Sequence, residues 1–244
     1  MSEDESAFTL AAPPADGIVR YGPLPDQTAE LRYGGAAHDR PLVIVIHGGF
    51  WRPKYDRSHT APQCAALAAD GWTVASIEYR RAPGHPDQTL DDVQTAVTVL
   101  PAMVAHHDGR VILMGHSAGG HLALFAASTL QAPIVGVVGL GPVADLHYAH
   151  ALHLGDDAVA AFLGTTPDTR PDVDPCLLND PAATVTLVHG EDDVTVPIAL
   201  SEHYVARHPA ARLVRLTDCG HVDVIDPRSR AWSAVITELR RLGM

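Results

Sequence analysis

An apolar run, V-I-L-M at residues 111–114, meets G-H-S-A-G at residues 115–119 and passes straight into an alanine- and leucine-rich stretch. A strand-type run that turns into a helix-type run across one glycine-flanked serine leaves few folds to choose from. The continuous apolar run needs cover on both faces, and the helix that follows supplies part of it by folding back over the sheet. Ser117 then stands on a tight corner with its hydroxyl clear of the backbone. The flanking glycines let neighbouring elements approach without a Cβ clash. The first turn of the helix offers free N–H groups where negative charge can develop. A serine before Ala-Gly is also a good helix cap, but the strand-to-helix context favours a nucleophile.

The rest of the chain repeats the alternation. Residues 28–33 alternate apolar and polar and read as an outer strand with one wet face, whereas L-V-I-V-I at 42–46 suits a strand covered on both faces. A helix over 58–70, stopped by Gly71, precedes a strand at 73–78. Thr89 with Asp92 has the pattern of a capping box, opening a helix toward His107. After Ser117 come a helix to about Leu130, a strand at 134–140 and a mostly irregular segment at 142–183 with a helical piece near 156–162. A strand at 184–188, a helix at 198–208, a strand at 213–216 and a helix from about Arg228 complete the order. This predicts an α/β fold, a mostly parallel twisted sheet with helices on both faces. Residues 1–27, rich in Ala, Pro and acid, read as a partly mobile leader, and 28–244 as one domain.

Composition narrows the partners. A formal net charge of −12 argues against nucleic acid and anionic membranes, which both demand a basic face. The start of the chain is acidic where a signal peptide is basic, and no apolar run approaches a membrane span. Three scattered cysteines, Cys64, Cys176 and Cys219, suit a reducing cytoplasm. Nothing here separates a monomer from a homodimer.

Functional loops in such a sheet follow strand C-termini, and three further stretches sit there. H-G-G-F-W at 47–51 follows the strand at 42–46, and its glycines free the backbone to aim N–H groups at an oxyanion. H-G-E-D-D-V-T-V-P at 189–197 crowds Glu191, Asp192 and Asp193 where a carboxylate can orient a histidine. D-C-G-H at 218–221 brings His221 to the same rim. Asp145, just past the strand at 134–140, is an alternative acid.

From about Tyr21 onward the chain resembles α/β-hydrolases of the esterase and arylformamidase (kynurenine formamidase-like) group. H-G-G-F-W is similar to that group's H-G-G-x-W, residues 115–119 to its nucleophile elbow, and residues 189–197 to H-G-x-x-D-x-x-V-P. E-Y-R-R-A-P at 78–83 with D-D-V at 91–93 resembles D-Y-R-x-A-P…D-D-V, with Glu78 a small departure given no functional weight. The fifth position of the H-G-x-x-D stretch implies Asp193 as the acid, giving a triad Ser117…Asp193…His221 in the chain order of that fold. The resemblance implies an oxyanion hole from the N–H groups of Gly49, Phe50 and Ala118, each worth about 3 kcal/mol, and no cofactor. It implies a serine hydrolase acting on a small ester or amide, an N-formyl arylamine being the sharpest expectation. A general carboxylesterase, a prolyl-oligopeptidase-like peptidase and a non-catalytic binding member of the fold are the alternatives.

Trp51, Tyr148 and Phe162, beside Phe50, are candidates for an aromatic substrate wall, though core positions fit them as well. His147, His150 and His153 recur every three residues, yet no companion Cys pair or H-E-x-x-H accompanies them, so no metal is expected. His116 reads as packing beside the serine. Pro167, Pro171, Pro175 and Pro181 interrupt the segment after the strand at 134–140, which predicts a minimal cap and a preference for short acyl groups.

Overall fold

The computed structural model describes residues 8–35 and 39–244. Eight strands form one sheet: β1 (Gly17–Arg20), β2 (Thr28–Arg32), β3 (Leu42–Ile46), β4 (Val74–Ile77), β5 (Val111–His116), β6 (Ile134–Leu140), β7 (Thr184–Gly190) and β8 (Arg212–Leu216). Their spatial order is β1-β2-β4-β3-β5-β6-β7-β8. The pairs β1–β2 and β2–β4 are antiparallel, and every pair from β4 through β8 is parallel.

Side-chain alternation explains why the central strands read as unbroken apolar runs. Leu42, Ile44 and Ile46 of β3 and Val111 and Leu113 of β5 enter one core, while Val43, Val45, Ile112 and Met114 enter the other. Helices α2 (Pro86–Met103), α3 (Ala118–Thr129) and α6 (Ala199–Arg207) cover the first face; α1 (Ala61–Ala69) and α7 (Ala231–Gly243) cover the second. Among the described residues no helix is long and apolar enough to cross a membrane.

Several expectations shift. Residues 17–20 of the expected leader are a strand, so β2 is not the outer strand; its wet face belongs to a pair shielded by β1. Mobility expected for residues 1–7 falls outside the described residues. α2 starts at Pro86, not at Thr89, because proline suits a first helical turn. The apparent capping box does other work. Thr89 Oγ1 donates to Arg80 O at 2.6 Å, and the buried Asp92 carboxylate accepts from Gln27 Nε2 (2.7 Å) and from Arg80 N, Nε and Nη2 (2.9, 2.8 and 2.7 Å). The segment after β6 holds two short helices, α4 (Leu146–Ala151) and α5 (Leu154–Leu163), ahead of Pro167, Pro171, Pro175 and Pro181. Together they form a small cap.

Asp92 joins α2 to the β4 exit and to residue 27 in one buried group. Asp92→Ala strands the Arg80 guanidinium and should cost about 3 kcal/mol, lowering the thermal midpoint by roughly 6–12 °C for a domain of this size. Asp91→Ala, one residue away and exposed, should change it little.

Candidate active site

β5 delivers the nucleophile corner. Ser117 takes φ 55° and ψ −121°, a strained backbone that persists only where its surroundings enforce it. Its N–H donates to Leu140 O (2.9 Å), and its carbonyl accepts from Gly120 N (2.9 Å) and Val143 N (3.1 Å), so β6 and α3 fix the corner from both sides. At Gly119 a Cβ would lie 2.1 Å from Ile46 O, and at Gly48 it would lie 2.8 Å from His116 O and 3.0 Å from Ser117 Cβ. The two loops therefore touch through backbone, which only glycine allows.

The loop after β3 is the oxyanion candidate. Gly49, Phe50 and Trp51 all carry positive φ (110°, 50° and 55°). Among the described residues, no protein group accepts from the N–H of Gly49, Phe50 or Ala118. The strained conformation is held from two directions. Arg52 Nη2 donates to Gly155 O, and a Cβ at Gly155 would lie 2.9 Å from the Phe50 ring, so α5 presses on this loop. Beneath, His47 stacks on Tyr79 (centroids 4.4 Å, 14°), whose hydroxyl donates to His47 O at 2.7 Å. Burial first, then the Arg81 charge, pushes His47 down to about 3, so the ring is neutral. Its Nδ1 lies 2.8 Å from Gly48 O, and its Nε2 lies 3.0 Å from Glu78 Oε1 and 3.1 Å from Arg81 Nη1, with Arg81 also paired to Glu78. Glu78, set aside in the sequence, thus anchors this loop, accepting from Arg57 N (3.1 Å) and Tyr79 N (3.1 Å) as well.

Asp193 and His221 meet behind the serine. His221 Nδ1 donates to Asp193 Oδ2 at 2.7 Å, which fixes the tautomer and leaves Nε2 with its lone pair. Asp193 Oδ1 accepts from Thr195 N (3.0 Å) and Val196 N (2.7 Å), while His189 Nε2 lies 3.2 Å from Oδ2. Burial raises the Asp193 carboxyl, but the bonds from His189 and His221 outweigh it and hold the group well below the usual carboxylate range. His189 is itself fixed, with Nε2 donating to Val196 O (2.8 Å) and Nδ1 accepting from Ser201 Oγ (2.7 Å). His116 does more than pack. Its Nε2 donates to the backbone carbonyl of His221 at 2.9 Å, and its ring lies 4.5 Å from that of His221, tying the elbow to the histidine loop.

Ser117 and His221 line one cavity of about 120 Å³ with Gly49, Phe50, His116 and Thr195. Phe8, Tyr55, His59 and Val222 complete its wall. Three expected wall residues stand elsewhere. Trp51 and Phe162, each 3% exposed, stack on one another at 4.6 Å inside the core, since the large apolar rings gain more from burial there. Tyr148 lies against His203 (4.5 Å), away from the cavity. Of the expected aromatic wall only Phe50 is in place. Asp145, the alternative acid, instead caps α4 through Tyr148 N (2.8 Å) and meets His203 Nδ1 (2.9 Å).

Of the three cap histidines, His147 Nδ1 donates to Asp174 (2.7 Å) and His153 pairs with Asp157 (2.5 Å), while the rings of His150 and His153 lie 6.3 Å apart. Asp145, His147 and Asp174 bring three ligand atoms within 4.8 Å of one another. Their helix-cap, ion-pair and backbone bonds account for the arrangement.

The eight-stranded, mostly parallel sheet with its serine corner after β5, acid after β7 and histidine after β8 defines an α/β-hydrolase fold. Residues 34–207 match the BD-FAE family model, and the chain belongs to that family. Esterase LipC of Mycobacterium tuberculosis is 27% identical over 238 residues, covering 84% of this chain and 57% of that protein. Kynurenine formamidase of Salmo salar is 35% identical over 92 residues, 37% of this chain and 31% of its own length. The chain thus spans about half or less of these curated relatives. Among solved structures, esterase B of Lactobacillus rhamnosis has the same fold, with a TM-score of 0.79 at 20% identity, covering 98% of this chain and 89% of that one.

The buried neutral histidines make the site acid-labile. His47 is pushed down to about 3 and His121 to about 4, burial leading in both. The folded chain thus refuses protons that the unfolded chain accepts near the ordinary histidine value of about 6.5. Stability is full above that value and falls as pH drops toward 4, by on the order of 1 kcal/mol per histidine at about pH 5.5. Chemical denaturation at a series of pH values should show this slope, and His121→Gln should remove its share.

Proposed function

We propose that this protein is a serine hydrolase that cleaves small esters or amides through an acyl-enzyme on Ser117. The observation that carries the reading is the 2.7 Å bond from His221 Nδ1 to the buried Asp193 carboxylate, with His221 and Ser117 in one cavity. In this reading His221 Nε2 takes the Ser117 proton as the hydroxyl oxygen attacks the substrate carbonyl. The C=O π bond opens as the new C–O bond forms, the negative charge that develops on the substrate's carbonyl oxygen meets the free amides of Gly49, Phe50 and Ala118, and His221 then gives its proton to the leaving group. Water repeats the sequence on the acyl-enzyme and frees the acid. Asp193 keeps His221 in the tautomer the first step needs and stabilises it once it is charged.

A cavity of about 120 Å³ suits a formyl or short acyl group. The rings of Phe8, Phe50, Tyr55 and His59 around it favour a planar aromatic neighbour. An N-formyl arylamine, such as N-formylkynurenine, meets both conditions, and the similarity to kynurenine formamidases supports it. A general carboxylesterase acting on aryl esters is the second reading, favoured by the longer match to LipC. The three cysteines are free and buried, which supports the cytoplasm as its compartment.

Steady-state kinetics on N-formylkynurenine, p-nitrophenyl acetate and p-nitrophenyl palmitate test the reading. Turnover of the first two and neglect of the third is expected, while preference for palmitate contradicts it. Hydrolysis of the ester alone selects the carboxylesterase. Asp193→Asn should lower kcat by about 10⁴ and Asp145→Asn far less, and the reverse ranking moves the acid to Asp145.

A further inference from the structure

The cavity has one wall from a part of the chain that its sequence placed outside the domain. Phe8 lines it together with Ser117 and His221. The Phe8 ring stands edge-on to His59 (centroids 5.3 Å, 83°), and His59 stands edge-on to His47 (5.7 Å, 89°). A row of three rings therefore runs from the N-terminal segment to the base of the oxyanion loop. Phe8 and Leu10 also pack on the core face that holds α1 and α7. Further along, Arg32 Nη1 donates to Pro14 O at 3.2 Å.

The other walls have little freedom. Phe50 is pressed by Gly155, and a Cβ at Gly49 would lie 2.4 Å from Tyr55 Cβ, so Tyr55 fills the space under that loop. His116 is tied to the His221 carbonyl. His59 is pushed down to about 4 by burial and then by His47, which makes it a neutral ring that packs as an aromatic. The cavity is partly open, so a larger substrate group either reaches toward solvent or takes space from a wall, and Phe8, half-buried, comes from the N-terminal segment.

We propose that Phe8 is a specificity-determining residue: its ring sets the largest group that can lie beside Ser117, and the segment carrying it is part of the catalytic site. This rests on Ser117 being the nucleophile. Cutting the ring back removes apolar surface that excludes long chains. A few methylenes admitted to a hydrophobic pocket change discrimination by tenfold or more, so a shift of that size is expected.

The test is the kcat/KM ratio of p-nitrophenyl octanoate to p-nitrophenyl acetate, measured on the full chain beside labelling by a fluorophosphonate probe. Phe8→Ala should raise the ratio at least about tenfold, with Phe8→Leu intermediate and Phe8→Trp lowering it. Leu10→Ala, which loosens the same segment without a place in the cavity, should lower the thermal midpoint and leave the ratio alone. A labelled, folded Phe8→Ala protein with the wild-type ratio overturns the assignment. So does a Leu10→Ala ratio that rises as much, which would give the effect to docking of the segment and not to the ring. Should Phe8→Ala fail to fold, Phe8→Leu and Phe8→Trp decide the matter by the same ratio. A wild-type chain that neither labels nor turns over either ester overturns the hydrolase reading, and this assignment with it.

Discussion

Everything at the site depends on how closely the loop after β3 approaches the corner after β5. With a Cβ, Gly119 would stand 2.1 Å from Ile46 O, a separation no side chain tolerates. Because that carbon is absent, the loop after β3 packs backbone to backbone against the corner after β5, and the oxyanion donors proposed above, the N–H groups of Gly49, Phe50 and Ala118, belong to these two backbones. Backbone donors have no rotamers to lose, so the arrangement is preorganised. The cost is conformational: Ser117, Phe50 and Trp51 sit at positive φ, each on the order of 1–3 kcal/mol. Arg52 on the Gly155 carbonyl and Glu78 with Arg81 beneath His47 hold what the local chain would otherwise relax.

Charge is treated differently on the two sides of the serine. On the acid side a carboxylate is buried with enough donors to stay ionised, and it faces the Nδ1–H of His221. By contrast, the rings of His47, His59 and His116 are kept neutral by burial. Being neutral, these rings bring no positive charge into the interior and need no counter-ion. His116 links the sides, donating to the carbonyl of the residue whose other end holds Asp193.

The sequence made the frame legible and the walls illegible, for physical reasons. Runs such as residues 42–46 and 111–114 alternate between two cores, so they have no polar face and announce buried parallel strands. The proposed triad could be placed on one rim because Ser117, Asp193 and His221 each follow a strand end, and Asp193 was preferred for its place in the H-G-x-x-D stretch; Asp192 beside it is exposed. Strand β1 has only four residues and alternates at a sheet edge, which gives no signal above that of a leader. Trp51 and Phe162 were expected at the wall, but stacking between residues 111 positions apart in the chain cannot be read from pattern. Phe8 was missed for the same reason, since its partner His59 lies on a different element.

The central claim is that one particular oxygen attacks substrate. Peptide mass spectrometry of the chain after reaction with a fluorophosphonate locates that atom without assuming a substrate. The account predicts a single phosphonyl adduct, on Ser117, lost when His221 is replaced by Ala. An adduct on another residue, or none on a folded chain, would contradict it.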